Sequence, residues 1–224
     1  MSLNNPPPLR VAFDGESSSG KSTAAKLISK KYKLFCMNSG LLFRYASRLI
    51  IKHKPKKTIS FLRKKFKNLN YKHIIHLNLH SQEISNHVAI LARQKKVRQI
   101  IRVFQKKIIR QHHRICCEGR DQASTILRKN PRYDVAFYFK CNLNTASLRR
   151  WRDLKKKIPL KEVKKSLRTP TLLDKKRRHN PLKKMADAVL IRTDILSKKA
   201  VVAKMTKEID KKLLLKYGRN FKAR

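Results

Sequence analysis

The sequence predicts an α/β fold, a central parallel sheet covered by helices on both faces, from three observations. The first is the run Leu9-Arg-Val-Ala-Phe-Asp14-Gly15-Glu16-Ser17-Ser18-Ser19-Gly20-Lys21-Ser22-Thr23, where an apolar strand breaks at a glycine and a helix follows. The second is that short apolar segments at 34–37, 115–117, 134–139 and 186–191 alternate with stretches whose apolar residues recur at helical spacing. The third is size: 224 residues with 41% hydrophobic content suit one packed domain, 1–224.

Gly15 and Gly20-Lys21-Ser22 have the P-loop spacing and lie between a strand and a helix, which is the context that the pattern requires. The fold expected is therefore the P-loop NTPase three-layer sandwich. Glycine opens backbone conformations that let successive N–H groups turn inward around phosphate oxygens. The following helix adds unpaired N–H groups and the positive end of its dipole. Gly15, Ser17, Ser18, Ser19, Gly20, Lys21, Ser22 and Thr23 are the expected cradle for ATP. Lys21 would neutralise the transferring phosphoryl group, and the Ser22 hydroxyl would ligate Mg²⁺.

Taken in order, Leu34-Phe35-Cys36-Met37 reads as a second strand leading into Asn38-Ser39-Gly40-Leu41-Leu42-Phe43-Arg44, a turn that opens a helix. Residues 52–72 are lysine-rich, with Ile59, Leu62 and Phe66 at helical spacing, and suggest an exposed basic helix or hairpin. His73 to His80 alternates in part and suggests an edge strand, its histidines solvated rather than metal-binding. Val97, Ile100, Ile101, Phe104 and Ile108 form the stripe of a long helix. Ile115-Cys116-Cys117 is a buried strand ending at Glu118-Gly119-Arg120-Asp121, and Asp134 to Phe139 is another, with Asn142 or Asn144 starting the next helix. Residues 153–184, rich in Lys and Arg and broken by Pro159, Pro170 and Pro181, read as a mobile basic lid. Ala186 to Ile191 is the last strand, and Val202, Met205, Ile209 and Leu213 give the closing helix its inner face, with Gly218 placed to end it.

The charge is extreme: 58 Lys and Arg against 13 Asp and Glu, a net +45. A chain with that balance attracts polyanions non-specifically, and non-specific RNA or a ribonucleoprotein is the partner expected if the charge has a binding role. Compositional drift is the other reading, and the scarcity of glutamate speaks against drift alone. The four cysteines lack zinc spacing, and three lie in or beside apolar segments, so buried thiols in a reducing, cytoplasmic compartment are expected. No apolar run approaches the ~18–20 residues of a membrane span. The polar, proline-rich Met1 to Pro8 does not have the character of a signal peptide.

Phosphate binding alone does not name a reaction, but two further clusters narrow it. Ser39 and Arg44 follow one strand, and Arg120 and Asp121 follow another; ligands in open α/β sheets bind beyond the carboxyl ends of the strands. Glu118 closes a buried strand as a magnesium-holding acid would. From about Leu9 to Ser197 these pieces resemble the bacterial type of cytidylate kinase, a nucleoside monophosphate kinase. The resemblance rests on Asp14 to Ser22, Asn38 to Arg44, Glu83-Ile84-Ser85-Asn86 with Val97-Arg98, Glu118 to Asp121, and Asn180-Pro181-Leu182 through Ala186-Asp187-Ala188. It implies ATP-dependent transfer of the γ-phosphoryl group to CMP or dCMP; a monomer is expected. By the same resemblance Ser39, Arg44, Arg98, Arg120 and Asp121 hold the acceptor, while Arg150 and the lid residue Arg177 close over the transferring phosphate. The monophosphate-binding insert is matched by a shortened 45–92. Asn38, Phe43, His80, Ala89 and the lid residue Pro170 stand where the family has aspartate, tyrosine, arginine, serine and arginine, so phosphate-facing groups are mostly kept and base-facing groups partly lost.

Overall fold

The computed structural model describes residues 6–218, so Met1 to Asn5 of the proline-rich start lie outside the described residues. The chain forms two compact units, one from residues up to Met37 and from His112 onward, the other from Asn38 to Gln111.

The first unit is an α/β sandwich. Its strands are β1 (Leu9–Gly15), β2 (Phe35–Asn38, whose last residue already belongs to the second unit), β3 (Arg114–Gly119), β4 (Val135–Lys140) and β5 (Val189–Arg192), ordered β2-β3-β1-β4-β5 across one sheet. β1 pairs in parallel with β3 and β4, with Val11 opposite both Cys116 and Val135, and β4 pairs in parallel with β5. Its helices are α1 (Lys21–Lys31), α7 (Leu143–Asp153), α8 (Leu160–Lys176) and α9 (Lys198–Tyr217), with a π-helical turn at Gln122–Ile126. Leu9, Val11 and Phe13 of β1 and Val135, Phe137 and Phe139 of β4 share a core with Ala24 and Ile28 of α1 and Met205, Ile209 and Leu213 of α9. The Phe13 ring lies 5.7 Å from Phe137 and 6.1 Å from Phe139, so alternate residues of the two central strands fill one face. α7 starts at the Asn142 cap, whose side chain accepts from Asn144 N, and α9 ends at Gly218 with φ 68°.

Two expectations for this unit need correction. β5 starts at Val189 rather than Ala186; just before it, Asp187 is engaged by side chains, accepting from Tyr133 Oη at 2.6 Å and Arg132 Nη2 at 2.8 Å. The proposed lid is less open than its prolines suggest. Residues 160–176 are one helix with Pro170 inside it, and Val163 and Leu167 are buried in a small core with Cys141 and Ala146.

The second unit is helical: α2 (Ser39–His53), α3 (Thr58–Lys67), α4 (Tyr71–Ile75), α5 (Gln82–Leu91) and α6 (Lys95–Gln111). The lysine-rich stretch is a helix and not a hairpin, with Leu62 and Phe66 turned inward and Phe66 edge-on to Phe104 of α6 at 5.8 Å. The edge strand expected at 73–80 is absent: its first residues are in α4 and the remainder precedes α5. The apolar residues that α4 buries, Tyr71 and Ile74, are three apart, which is helical spacing, and Asn70 caps the helix through Lys72 N. α6 buries Val97, Ile100, Ile101, Phe104 and Ile108 as its stripe predicted.

Candidate active site

β1 delivers the chain to the loop at Gly15, where a Cβ would lie 2.3 Å from the Phe139 carbonyl oxygen of β4; no side chain fits that approach. Gly20 caps α1 with φ 79°. Ser18 also takes a left-handed conformation, φ 52°, at a position where most side chains are strained. Asp14 is buried, and its two oxygens accept from Gln122 N and Ala123 N, both at 2.8 Å, so the end of β1 fixes the turn that follows β3. Burial pushes its carboxyl up to about 7 against the pull of those two bonds.

Lys21 is buried at the start of α1. Its Nζ donates to the Glu16 carbonyl at 3.0 Å and lies 3.7 Å from Glu118 Oε1 at the end of β3. Burial, then the neighbouring Arg120 charge, brings the ammonium down to about 8. Ser22 and Thr23 are exposed on the same helical turn. Among the described residues no group of three or more His, Cys, Asp or Glu is arranged to hold a metal. A magnesium ion bound mainly through phosphate and water needs few protein ligands; Ser22 is exposed on the first turn of α1, and the Glu118 carboxylate is buried at the end of β3 beside Lys21.

The C-terminal half of α8 reaches the loop. Thr171 Oγ1 accepts from Ser17 N at 3.4 Å, and Lys175 Nζ meets Glu16 Oε1 at 2.6 Å. Asp174 accepts from Arg120 Nε at 2.8 Å and from Arg177 Nη1 at 3.2 Å, while Arg177 Nη2 is 3.8 Å from Asp121. Arg120 Nη2 donates to Ser17 Oγ at 3.1 Å. Thus Lys21, Arg120, Asp121 and Arg177, from three elements, are brought together around Ser17 and Glu118.

Arg150, like Arg149, is exposed on α7. Its neighbour Arg149 is the one tied toward the loop: Nη2 donates to the Thr193 carbonyl at 2.7 Å, and Thr193 Oγ1 donates to the Ser19 carbonyl at 3.0 Å. The sequence reading missed Asp174, Arg149 and Thr193. The i, i+3, i+4 spacing of Thr171, Asp174 and Lys175 was the available signal for the first.

The second unit holds the other predicted residues. Ser39 is buried, its Oγ accepting from Gln105 Nε2 at 3.0 Å. Arg44 Nη1 donates to the Leu79 carbonyl and to Ser85 Oγ, both at 3.0 Å. Arg98 is buried, donates to the Ala92 carbonyl at 3.2 Å, and stacks 5.5 Å from the Phe43 ring centroid. Gln105, Ser85 and Phe43 therefore orient the three predicted groups.

A cytidylate kinase family model matches residues 11–211. The chain belongs to the cytidylate kinase family. The cytidylate kinase of Mesomycoplasma hyopneumoniae is 26% identical over 92% of this chain and 95% of its own length, and that of Phytoplasma mali 29% over 82% and 86%. The bifunctional pantoate ligase/cytidylate kinase of Prochlorococcus marinus is 32% identical over 87% of this chain and 41% of that protein. An uncharacterized protein from Eubacterium ventriosum, known from its crystal structure, shares the fold at 13% identity, with a TM-score of 0.52 over 91% of this chain and 99% of that one. Family membership makes this chain an enzyme, with phosphoryl transfer to a nucleoside monophosphate as its reaction class. Among the described residues no helix is long and apolar enough to cross a membrane.

Proposed function

We propose that this cytidylate kinase family member transfers the γ-phosphoryl group of ATP to CMP or dCMP with Mg²⁺, and that it discriminates weakly among acceptor bases. One observation carries the reading: Lys21, Arg120 and Arg177 share one cluster at the P-loop, fastened by Glu118, Asp121 and Asp174. Such a cluster can meet the charge that spreads over equatorial phosphoryl oxygens.

The loop N–H groups and the start of α1 would bind the donor phosphates. Ser22 and Glu118 would hold a magnesium ion, which would supply positive charge to the donor phosphates. Lys21 would swing from the Glu16 carbonyl to phosphate oxygen without leaving its pocket. The Arg120 and Arg177 guanidinium groups present paired donors suited to phosphate. On this reading residues 153–184 act as the lid that excludes water and 45–92 as the acceptor insert, while Ser39, Arg44 and Arg98, which flank that insert in sequence, bind the monophosphate. Arg149, through its bond to the Thr193 carbonyl, is the α7 arginine tied toward the loop, and Arg150 beside it is the one the family resemblance points to.

Weak base selectivity follows from Phe43 and Ala89, which offer no hydroxyl where the family has one, since an absent hydrogen bond removes a means of rejecting the wrong base. The test is a coupled kinase assay across CMP, dCMP, UMP and AMP, with and without Mg²⁺. Transfer to CMP and dCMP with UMP within about tenfold is expected; no transfer to any pyrimidine acceptor overturns the assignment, and a strong preference for CMP over UMP overturns the selectivity.

A further inference from the structure

Positive charge in this chain is matched by counter-charge in one unit and not in the other. In the P-loop unit carboxylates meet cations repeatedly: Glu16 with Lys175, Asp134 with Lys216, Asp187 with Arg132 and Asp194 with Arg192. Residues 38–111 hold nineteen Lys and Arg and one acid, Glu83. The acid-free stretch is densest around α3. Leu62 and Phe66 fix its inner face, so Arg63, Lys64 and Lys67 are exposed, and Lys56 and Lys57 are exposed just before its first turn. Ten helical residues span about 15 Å; that length holds Arg63, Lys64, Lys65 and Lys67, and with Lys56 and Lys57 just before it they form a dense positive ridge.

We propose that this ridge, residues 56–67, binds the phosphodiester backbone of folded RNA. A membrane surface is the poorer fit: the apolar stripe of α3 is buried, leaving no face to enter the acyl region. An acidic protein is poorer too, because a stable protein interface is centred on apolar and aromatic anchors. The one exposed residue of α3 outside its basic cluster is Ser60. The nearby rings are engaged within the unit, Phe61 with His53 at 5.5 Å and with Lys65 at 5.8 Å, so phosphate contact and not base stacking is the mode. RNA is favoured over DNA by charge density, since an A-form helix rises less per base pair and carries more phosphates along the ridge. The mutual repulsion of these cations also opposes folding, so a bound polyanion stabilises the unit.

The test is fluorescence anisotropy of a structured RNA hairpin with the full chain, from 50 to 200 mM KCl. If five phosphates are contacted, log affinity falls against log salt with a slope of about −4. The variant K56Q/K57Q/R63Q/K64Q/K67Q should bind at least ~100-fold more weakly at 100 mM, with a slope shallower by about three or more. Neutralising Lys198, Lys199, Lys207, Lys211 and Lys212 of α9 gives the same net charge and should leave affinity within about tenfold. Circular dichroism checks folding, and if the fivefold variant fails, K57Q/K64Q should lower the slope by about two. Undetectable binding by wild type at 50 mM, or equal loss in the α3 and α9 variants, overturns the proposal. So does tighter binding to a DNA duplex of equal length, or to phosphatidylserine vesicles, at the same salt. Kinase turnover, measured separately, tests the phosphoryl-transfer reading and does not enter this outcome.

Discussion

Replacing Lys21 by methionine should separate catalysis from stability. The Lys21 ammonium is buried, with a carbonyl at 3.0 Å and a carboxylate at 3.7 Å, and burial outweighs both in lowering its pKa from 10.5 to about 8. An unfolded lysine keeps its proton up to the higher value, while the folded one releases it near the lower. Between them the unfolded chain binds more protons, so stability rises with pH across that window. At 1.36 kcal/mol per pH unit the rise is about 3 kcal/mol, and below pH 8 the whole penalty is present. Methionine has nearly the same length and does not titrate, so the other lysines cancel in a comparison of the two proteins. The expected result is that wild type gains about 3 kcal/mol on Lys21→Met between pH 8 and 10.5. At pH 7 phosphoryl transfer by the variant should fall by at least ~100-fold. Urea unfolding followed by circular dichroism at several pH values gives the first quantity, and a coupled assay gives the second. A stability difference that stays flat across the window refutes the desolvation argument; turnover within a few-fold of wild type refutes the catalytic one.

Three further substitutions test the loop. Ser18→Gly should stabilise by about 0.5–1 kcal/mol in thermal unfolding with activity kept, since φ 52° costs serine more than the added unfolded-state entropy costs glycine. Gly15→Ala should destabilise by several kcal/mol, roughly 3 or more, and abolish turnover, because its Cβ would meet the Phe139 backbone at 2.3 Å. For Asp14 the sign is opposite to that of Lys21: with the folded carboxyl raised from 3.8 to about 7, its contribution is full below the lower value and is lost as pH rises to the upper. Stability of wild type relative to Asp14→Asn should therefore fall by about 4 kcal/mol over that range in pH-dependent urea titrations.

The P-loop was legible because three independent signals coincide there: an apolar strand, the glycine spacing and a helical repeat. The strand order was not, since nothing in 115–117 states that it lies beside β1 while 35–38 takes the edge. His73 to His80 misled because Ile75, Leu77 and Leu79 imitate a two-residue period, whereas the residues that decide are the Asn70 cap and the buried pair Tyr71 and Ile74. Arg149 and Arg150 show a different limit. Adjacent helical residues point about 100° apart, and which arginine reaches Thr193 depends on how α7 is rotated, a tertiary fact. Asp174 was hidden for a related reason: Arg177 is only three residues on, but its other partner, Arg120, is 54 residues away in sequence and is brought to it by folding.

In a chain with 58 basic residues and 13 acids, the position of each acid carries information. At the candidate site the cations do not stand alone: Glu118 lies beside Lys21, Asp174 bridges Arg120 and Arg177, Asp121 adds to Arg177, and Glu16 holds Lys175. Without these carboxylates, several half-buried cations would repel one another and swing toward water, and an incoming polyphosphate would have to order each of them. With them, the guanidinium groups are already aimed and desolvated, so phosphate oxygens can join the network at a smaller cost in side-chain entropy. Asp174 is the central member, because one carboxylate sets the spacing of two arginines on different elements. The same physics separates the two kinds of positive charge in this protein. Where cations serve the site, acids fix their geometry; along α3, where none does, the lysines keep the freedom that suits an irregular, interchangeable row of backbone phosphates.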